Sequence, residues 1–156
     1  MCEKGDEKMK RVKGGTKVIR GQMLTNTNLK IQLFDGKFTT GYKVVKFEIM
    51  ENFPTTGKTM VSKLSTEKKT NFGYFTWSDN EELAWAASNN PISTRWGDFA
   101  LIDPTNMIIE DLFVNAYSDG ESILMNYFIE LEKYEFTAWD GAGQMVRNQS
   151  QAGPPA

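Results

Sequence analysis

Residues 122–139, SILMNYFIELEKYEFTAW, form the longest run of this chain in which β-branched and aromatic residues recur with a period of two. Such alternation is typical of a β-strand that turns one face toward a core. Glu130 and Glu132 fall on one face of this run. The other face is apolar and carries Ile123, Met125, Tyr127, Ile129 and Leu131. We therefore predict a long central strand here.

Residues 42–51, YKVVKFEIME, are the predicted partner of that strand. Apolar residues alternate here with charged residues of both signs, namely Val45, Phe47 and Ile49 with Lys46 and Glu48. Opposite charges that face each other across an antiparallel ladder stabilise the pairing modestly. We expect an early strand and the last strand to pair in one sheet.

Shorter runs between turn residues predict further strands at residues 17–24, 59–65 and 96–102. Asp35 and Gly36 separate two alternating segments and predict a β-hairpin. Residues 80–88 favour a turn and a strand over a helix, and residues 105–117 favour a strand from Asp111 onward, with a helix at 105–111 left open. About eight strands, with turns at intervals of ~8–12 residues, predict an all-β, antiparallel β-sandwich.

Composition limits the chemistry that the chain can perform. With 156 residues it fits one domain, and a chain of this length buries roughly two thirds of its unfolded surface. A single cysteine, Cys2, excludes a disulfide within one chain. The absence of histidine removes the commonest metal ligand and excludes Ser-His-Asp and Cys-His catalytic arrangements. We expect neither a metal nor another cofactor.

The acidic residues give a weak indication of catalysis. Glu130 with Glu132, or Glu110 with Asp111, resembles the carboxylate pair of a glycosidase. Alternating acids on a strand are more often a solvated face, and neither a nucleophile elbow nor a metal-ligand spacing occurs. The sequence therefore predicts a protein that is not an enzyme.

The first ten residues, MCEKGDEKMK, lack an apolar segment, and no apolar run approaches the ~18 residues of a membrane-spanning helix. We expect a protein without a signal peptide or a membrane span, located in the cytoplasm unless it belongs to a virion.

The charge is divided unevenly along the chain. Residues 1–20 carry seven Lys/Arg against three Asp/Glu, a net charge of +4, whereas residues 21–156 carry eleven against seventeen, a net charge of −6. We predict a flexible basic arm at 1–16, a sandwich domain at 17–139 and an extended polar tail at 140–156. The residues predicted to contact nucleic acid or neighbouring subunits are Lys8, Lys10, Arg11, Lys13, Lys17 and Arg20.

Tryptophans supply a second set of candidate contact residues. Together with Phe72, Tyr74 and Phe75 they could line a platform for sugars, although aromatic residues in strands more often belong to a core or an interface. The tryptophans predicted to contact a subunit or ligand are Trp77, Trp85, Trp96 and Trp139.

The basic arm at 8–20, the strands at 42–51 and 122–136 and the polar tail at 141–156 together resemble the small single jelly-roll capsid and virion proteins of viruses. The resemblance implies two packed four-stranded sheets and a shell built from many copies. It also implies contacts with other virion proteins and weak contact with packaged nucleic acid. The acids Glu3, Asp6 and Glu7 dilute the basic arm, which argues against genome binding more than against assembly.

The leading hypothesis is therefore a non-enzymatic virion subunit that self-assembles through sheet edges and terminal arms. The alternative is a β-sandwich module that binds carbohydrate or a host surface through exposed Trp and Tyr residues.

Overall fold

The computed structural model describes residues 9–53, 58–89 and 99–136, and these residues form an all-β structure without a helix. They contain eight strands, and every ladder between strands is antiparallel. The strands are β1 (Met9–Leu24), β2 (Thr27–Ile31), β3 (Thr40–Glu51), β4 (Thr59–Ser65), β5 (Glu82–Asn89), β6 (Phe99–Ile102), β7 (Leu112–Ser118) and β8 (Leu124–Phe136). The prediction of an all-β, antiparallel protein is confirmed.

The strands form two sheets, consistent with the predicted β-sandwich. The order is β1-β8-β3 in the smaller sheet and β2-β7-β4-β5-β6 in the larger one. β8 is hydrogen-bonded on one side to β1 and on the other to β3, so that Ile129 lies opposite both Ile19 and Phe47. The last strand is therefore central and pairs with an early strand, as the sequence predicts.

The inward faces of both sheets meet in one apolar core. Met125, Ile129 and Leu131 of β8 have no exposed surface. They belong to the same buried cluster as Phe47 of β3 and Val114 of β7. Because full burial of one large apolar side chain contributes about 1.5–3 kcal/mol, these alternating positions supply the main driving force for the two sheets to pack.

The predicted hairpin at Asp35 and Gly36 is wrong. β2 pairs with β7 in the larger sheet and β3 pairs with β8 in the smaller one, so the connection between β2 and β3 passes from one sheet to the other. The turn itself has the expected chemistry, because Gly36 has a φ of 87° and Asp35 Oδ1 accepts a hydrogen bond from Lys37 N at 2.9 Å. That bond lowers the pKa of Asp35. A local turn does not decide which strands pair, since pairing depends on long-range burial.

Both segments that allowed a helix or a strand are settled by the structure. Residues 82–89 and 112–118 are strands, and no helix occurs at 105–111. Thr105 and Asn106, which could cap a helix, instead donate hydrogen bonds to the Asp103 carboxylate at 2.6–2.8 Å. The predicted strand at 96–102 is present from Phe99 onward, and residues 96–98 lie outside the described residues.

The first strand is longer than the sequence predicts. β1 begins at Met9, so residues 9–16, which composition assigns to a flexible arm, pair with β8 in the sheet. A bulge interrupts this ladder between Arg11 and Thr16, and within it Gly14 has a φ of 73°, a conformation that glycine adopts readily. The low apolar content of residues 9–16 suggests flexibility, but composition does not show that β8 supplies hydrogen-bond partners for their backbone. Residues 1–8, 137–139 and the predicted tail at 140–156 lie outside the described residues.

Truncating the centre of β8 should destabilise the protein far more than truncating the outer face of β1. Ile129→Ala removes fully buried methyl groups and should cost about 2–5 kcal/mol, whereas Val18→Ala at an exposed position should change stability by less than about 0.5 kcal/mol. Urea unfolding monitored by tryptophan fluorescence measures both. Equal losses in the two variants would contradict the assigned orientation of the sheet.

Candidate functional site

The described basic residues lie on β1, an edge strand. Lys10, Arg11, Lys17 and Arg20 are all exposed, Lys13 lies in the bulge of β1, and Lys8 lies outside the described residues. β1 spans 16 residues and pairs with β8 alone, so within the described ranges its second edge has no partner strand. An unpaired edge exposes backbone donors and acceptors that another chain can use.

Acids of β8 neutralise part of this basic charge. Arg11 forms an ion pair with Glu132 at 2.9 Å, and Tyr134 Oη donates a hydrogen bond to the same carboxylate at 3.1 Å. Burial and the neighbouring Glu132 raise the pKa of Tyr134. Lys10 lies opposite Glu135 in the ladder. The strand is therefore less basic toward a polyanion than its sequence implies.

Two of the predicted tryptophans meet on the larger sheet. Trp77 lies in the connection between β4 and β5, residues 66–81, which we call the aromatic loop, and Trp85 lies on β5. Their ring centroids are 6.1 Å apart in an edge-on arrangement. Trp85 is only 5% exposed, whereas Trp77 is 63% exposed and its neighbour Tyr74 is 71% exposed. Trp96 and Trp139 lie outside the described residues.

A buried ion pair beneath the aromatic loop anchors its backbone. Lys63 Nζ on β4 lies 3.2 Å from Glu82 Oε2 on β5, and each side chain is 1% exposed. Lys63 Nζ also donates to the carbonyl oxygen of Tyr74 at 2.7 Å. Glu82 Oε1 accepts hydrogen bonds from Thr76 N at 3.0 Å and from Trp85 Nε1 at 2.9 Å. The pair thus binds the loop on both sides of residue 75.

A second polar cluster fixes the beginning of the aromatic loop. Lys69 Nζ binds the carboxylates of Asp79, at 2.7 Å, and Glu81. Burial alone would lower the pKa of Lys69, but these two carboxylates outweigh it and the pKa is raised. Asn28 Nδ2 on β2 donates to the Lys69 carbonyl oxygen at 2.6 Å, and Lys69 N donates to Asn115 Oδ1 on β7 at 3.3 Å. The loop is therefore tied to four strands, because β2 and β7 hold its start while β4 and β5 hold its middle.

Sequence reasoning did not identify Lys63 and Glu82 as parts of this site. The available signal was a lysine within the otherwise apolar strand segment TMVSKLS, since a lysine that becomes fully buried requires a partner. The lysine alone does not indicate which residue is its partner. Lys63 lies opposite Trp85 in the ladder, and the bulge between β4 and β5 brings it to Glu82.

A cavity of about 750 Å³ is lined by β1, β3 and β8 of the smaller sheet and by β5 and β6 of the larger one. Within it the Tyr127 ring lies over Gly21, where an added Cβ would come within 2.6 Å of the phenol oxygen. Burial raises the pKa of Tyr127. The lining mixes apolar groups such as Ile49 and Phe99 with Arg20 and Glu48. Side chains of the described ranges form no metal-binding group of three or more Cys, Asp or Glu.

Removing one partner of the buried ion pair should destabilise the protein more than removing both charges. Lys63→Met leaves the Glu82 carboxylate buried without its cation, which costs about 3–5 kcal/mol. When Lys63→Met is combined with Glu82→Gln, the new amide oxygen can still accept the bonds from Thr76 N and Trp85 Nε1, so the loss should be smaller. Urea unfolding of both single variants and the double variant measures this coupling, and additive losses would contradict it.

Glu67 at the start of the aromatic loop should give a pH-dependent stability change. Glu67 is exposed, but partial desolvation of its carboxyl, together with the negative charges of Glu81 and Glu110, raises the pKa of Glu67. The folded state therefore disfavours the ionised carboxyl, and stability falls as pH rises from the ordinary pKa through the raised one. We expect Glu67→Gln to raise Tm at pH 7, with the gain vanishing below about pH 4, where the carboxyl is protonated in both states. Glu121→Gln, at a carboxyl outside the aromatic loop, is the control, and an equal gain there would contradict the cause assigned.

Comparison with protein-family models and curated sequences does not place this chain in a family. No protein-family model matches it, and no curated protein sequence is significantly similar to it. No helix among the described residues is long and apolar enough to cross a bilayer. Strand pairing, surface chemistry and charge are therefore the observations that bear on function.

Proposed function

We propose that this chain is a non-enzymatic virion subunit with a jelly-roll fold, which self-associates through sheet edges and its terminal segments. The observation that carries the proposal is the pairing of β1 with β8, β2 with β7 and β4 with β5. A jelly roll is an antiparallel ribbon of eight strands wrapped into two sheets, in which strand 1 pairs with 8, 2 with 7, 3 with 6 and 4 with 5. Three of these four pairs occur here.

The fourth pair is where the chain departs from two four-stranded sheets. β6 is hydrogen-bonded to β5, which makes one sheet of five strands and one of three. β6 also contacts β3, so it lies close to the strand that it would join in a four-plus-four arrangement. The departure is limited to the position of β6, a strand of four residues, and the order of the other strands is that of a jelly roll.

Jelly rolls occur in capsid, lectin and cupin domains, so the fold by itself does not assign a function. The edge of β1 favours a structural subunit among these. An edge strand of 16 residues is far longer than the usual strand of about 5–6 residues. Natural proteins either protect such an edge or use it for pairing with another chain. The bulge at Gly14 and the exposed cations of β1 restrict which partner can pair, which suits a specific contact between copies.

A group of exposed apolar side chains at one end of the smaller sheet supports the same proposal. Leu24 lies opposite Leu124 in the ladder, and Asn52 N donates a hydrogen bond to the Leu124 carbonyl oxygen at 3.0 Å. Met50 and Phe53, on either side of Asn52, are also exposed. Clustered exposed apolar surface marks interaction sites in soluble proteins. Copies of the chain, and other virion proteins, are the partners that we propose for it.

The charge on β1 supports contact between subunits more than contact with a genome. Each phosphate contact contributes a salt-dependent term to nucleic-acid binding. Glu132 forms an ion pair with Arg11, whereas Lys10, Lys17 and Arg20 are the β1 cations with described side chains that have no ion-pair partner. A strand with so few available cations is suited to an acidic surface of a neighbouring copy.

Assembly should depend on the basic residues of β1. Changing Lys10, Arg11, Lys13 and Lys17 together to Ala removes most of the positive charge of this edge strand, and we expect assemblies to dissociate at lower salt than those of the unchanged protein. Sedimentation velocity across protein and salt concentration, with negative-stain electron microscopy, measures this. The matched control changes four cations outside β1 to Ala, namely Lys30, Lys37, Lys46 and Lys68.

Two outcomes would overturn the proposal. The full chain could remain monomeric at all concentrations and ionic strengths, which excludes a self-assembling subunit. Alternatively, the control variant could weaken assembly as much as the β1 variant, which would show that net charge matters and the edge of β1 does not.

A further inference from the structure

We propose that the aromatic loop is a binding site for neutral carbohydrate, with Tyr74 and Trp77 as the stacking residues and Asn71 and Ser78 as hydrogen-bonding residues. This inference does not depend on assembly. It rests on the exposure of two aromatic side chains, on the rigid support beneath them and on the charge around them.

Tyr74 and Trp77 are held in place and yet exposed. Tyr74 N donates to the Asn71 carbonyl oxygen at 3.3 Å, and Asp79 N donates to the Thr76 carbonyl oxygen at 3.0 Å, so each aromatic residue belongs to a tight turn. The tyrosine is 71% exposed and the tryptophan 63% exposed. A loop whose backbone is fixed while its largest apolar side chains face solvent is suited to a ligand. Such a loop loses little conformational entropy when the ligand binds.

The buried ion pair has the geometry of a positioning device. Apolar residues of similar volume would be as stable as a buried Lys–Glu pair, or more stable. Here both charges also bind the loop, since Lys63 holds the Tyr74 carbonyl group and Glu82 holds the Thr76 amide. Lys63 and Glu82 are therefore positioning residues for Tyr74 and Trp77. Trp85 is not a ligand residue, because it is buried and its indole N–H donates to Glu82.

The chemistry of the loop favours a sugar. The face of an aromatic ring is electron-rich and attracts the weakly positive C–H groups on the apolar side of a pyranose ring. Sugar hydroxyls then need polar partners nearby. Asn71 and Ser78 are exposed, and no described residue binds the Asn71 side-chain amide nitrogen or the Ser78 hydroxyl.

Charge selects the class of carbohydrate. The aromatic loop and its contacts carry Glu67, Asp79, Glu81 and Glu110 against Lys68 and Lys69, and Lys69 is already bound to Asp79 and Glu81. This acidic surrounding repels sialylated and sulfated glycans and nucleic acids. The site is therefore suited to neutral carbohydrate.

The test is binding of the full chain to an array of neutral, sialylated and sulfated oligosaccharides. We expect signal on neutral glycans, and we expect Tyr74→Ala and Trp77→Ala each to lower it at least tenfold without changing the circular dichroism spectrum. Phe38→Ala is the matched control, because Phe38 is an exposed aromatic residue on the β2–β3 connection. The double variant Lys63→Met with Glu82→Gln tests positioning and should lower the signal while Tyr74 and Trp77 remain present.

Three results would overturn the assignment. One is the absence of binding to any neutral glycan, and another is equal loss of binding in the Phe38→Ala control. The third is concentration-dependent association of the protein that Trp77→Ala abolishes, which would make the loop a contact between copies. A monomeric protein that binds neutral glycans through Trp77 would uphold this inference while excluding the proposed virion subunit.

Discussion

β8 is hydrogen-bonded along both of its edges, and the rest of the structure depends on this double pairing. Its backbone groups are satisfied only when β1, from the beginning of the described chain, and β3 lie on either side. The inward face of β8 then presents Met125, Ile129 and Leu131 to the larger sheet. Because the first and last strands must meet before this core closes, most contacts are long-range, and we expect slow folding.

The two surfaces that we propose for interactions lie on different sheets. The smaller sheet carries the long edge of β1 and the exposed apolar group around Phe53. The larger sheet carries the aromatic loop on its outer face, over the Lys63–Glu82 pair. The proposed contact between copies along β1 would therefore not compete directly with the proposed ligand on Trp77. The strands of the larger sheet hold the aromatic loop in place, and pairing of another chain at the edge of β1 in the smaller sheet does not require these strands to move.

Periodicity predicted the all-β class, the central position of the last strand and its pairing with β3, since a two-residue period reports directly which side of a strand is buried. The same local information failed at Asp35 and Gly36, where the turn is correct but the flanking strands belong to different sheets. It also failed at residues 9–16, which join the sheet. For the candidate site it predicted Trp77 and Trp85 as contact residues but could not separate the exposed one from the buried one.

The sequence by itself determined the class of structure, the alternation of buried and solvated positions, the exclusion of histidine-dependent chemistry and the uneven distribution of charge. These properties depend on residue type and on spacing along the chain. Only the tertiary structure decided that β2 pairs with β7, that Lys63 meets Glu82 beneath the aromatic loop, and that Tyr74 and Trp77 face solvent. Such outcomes depend on which distant segments compete for the same edge or the same buried volume, and no local pattern encodes that competition.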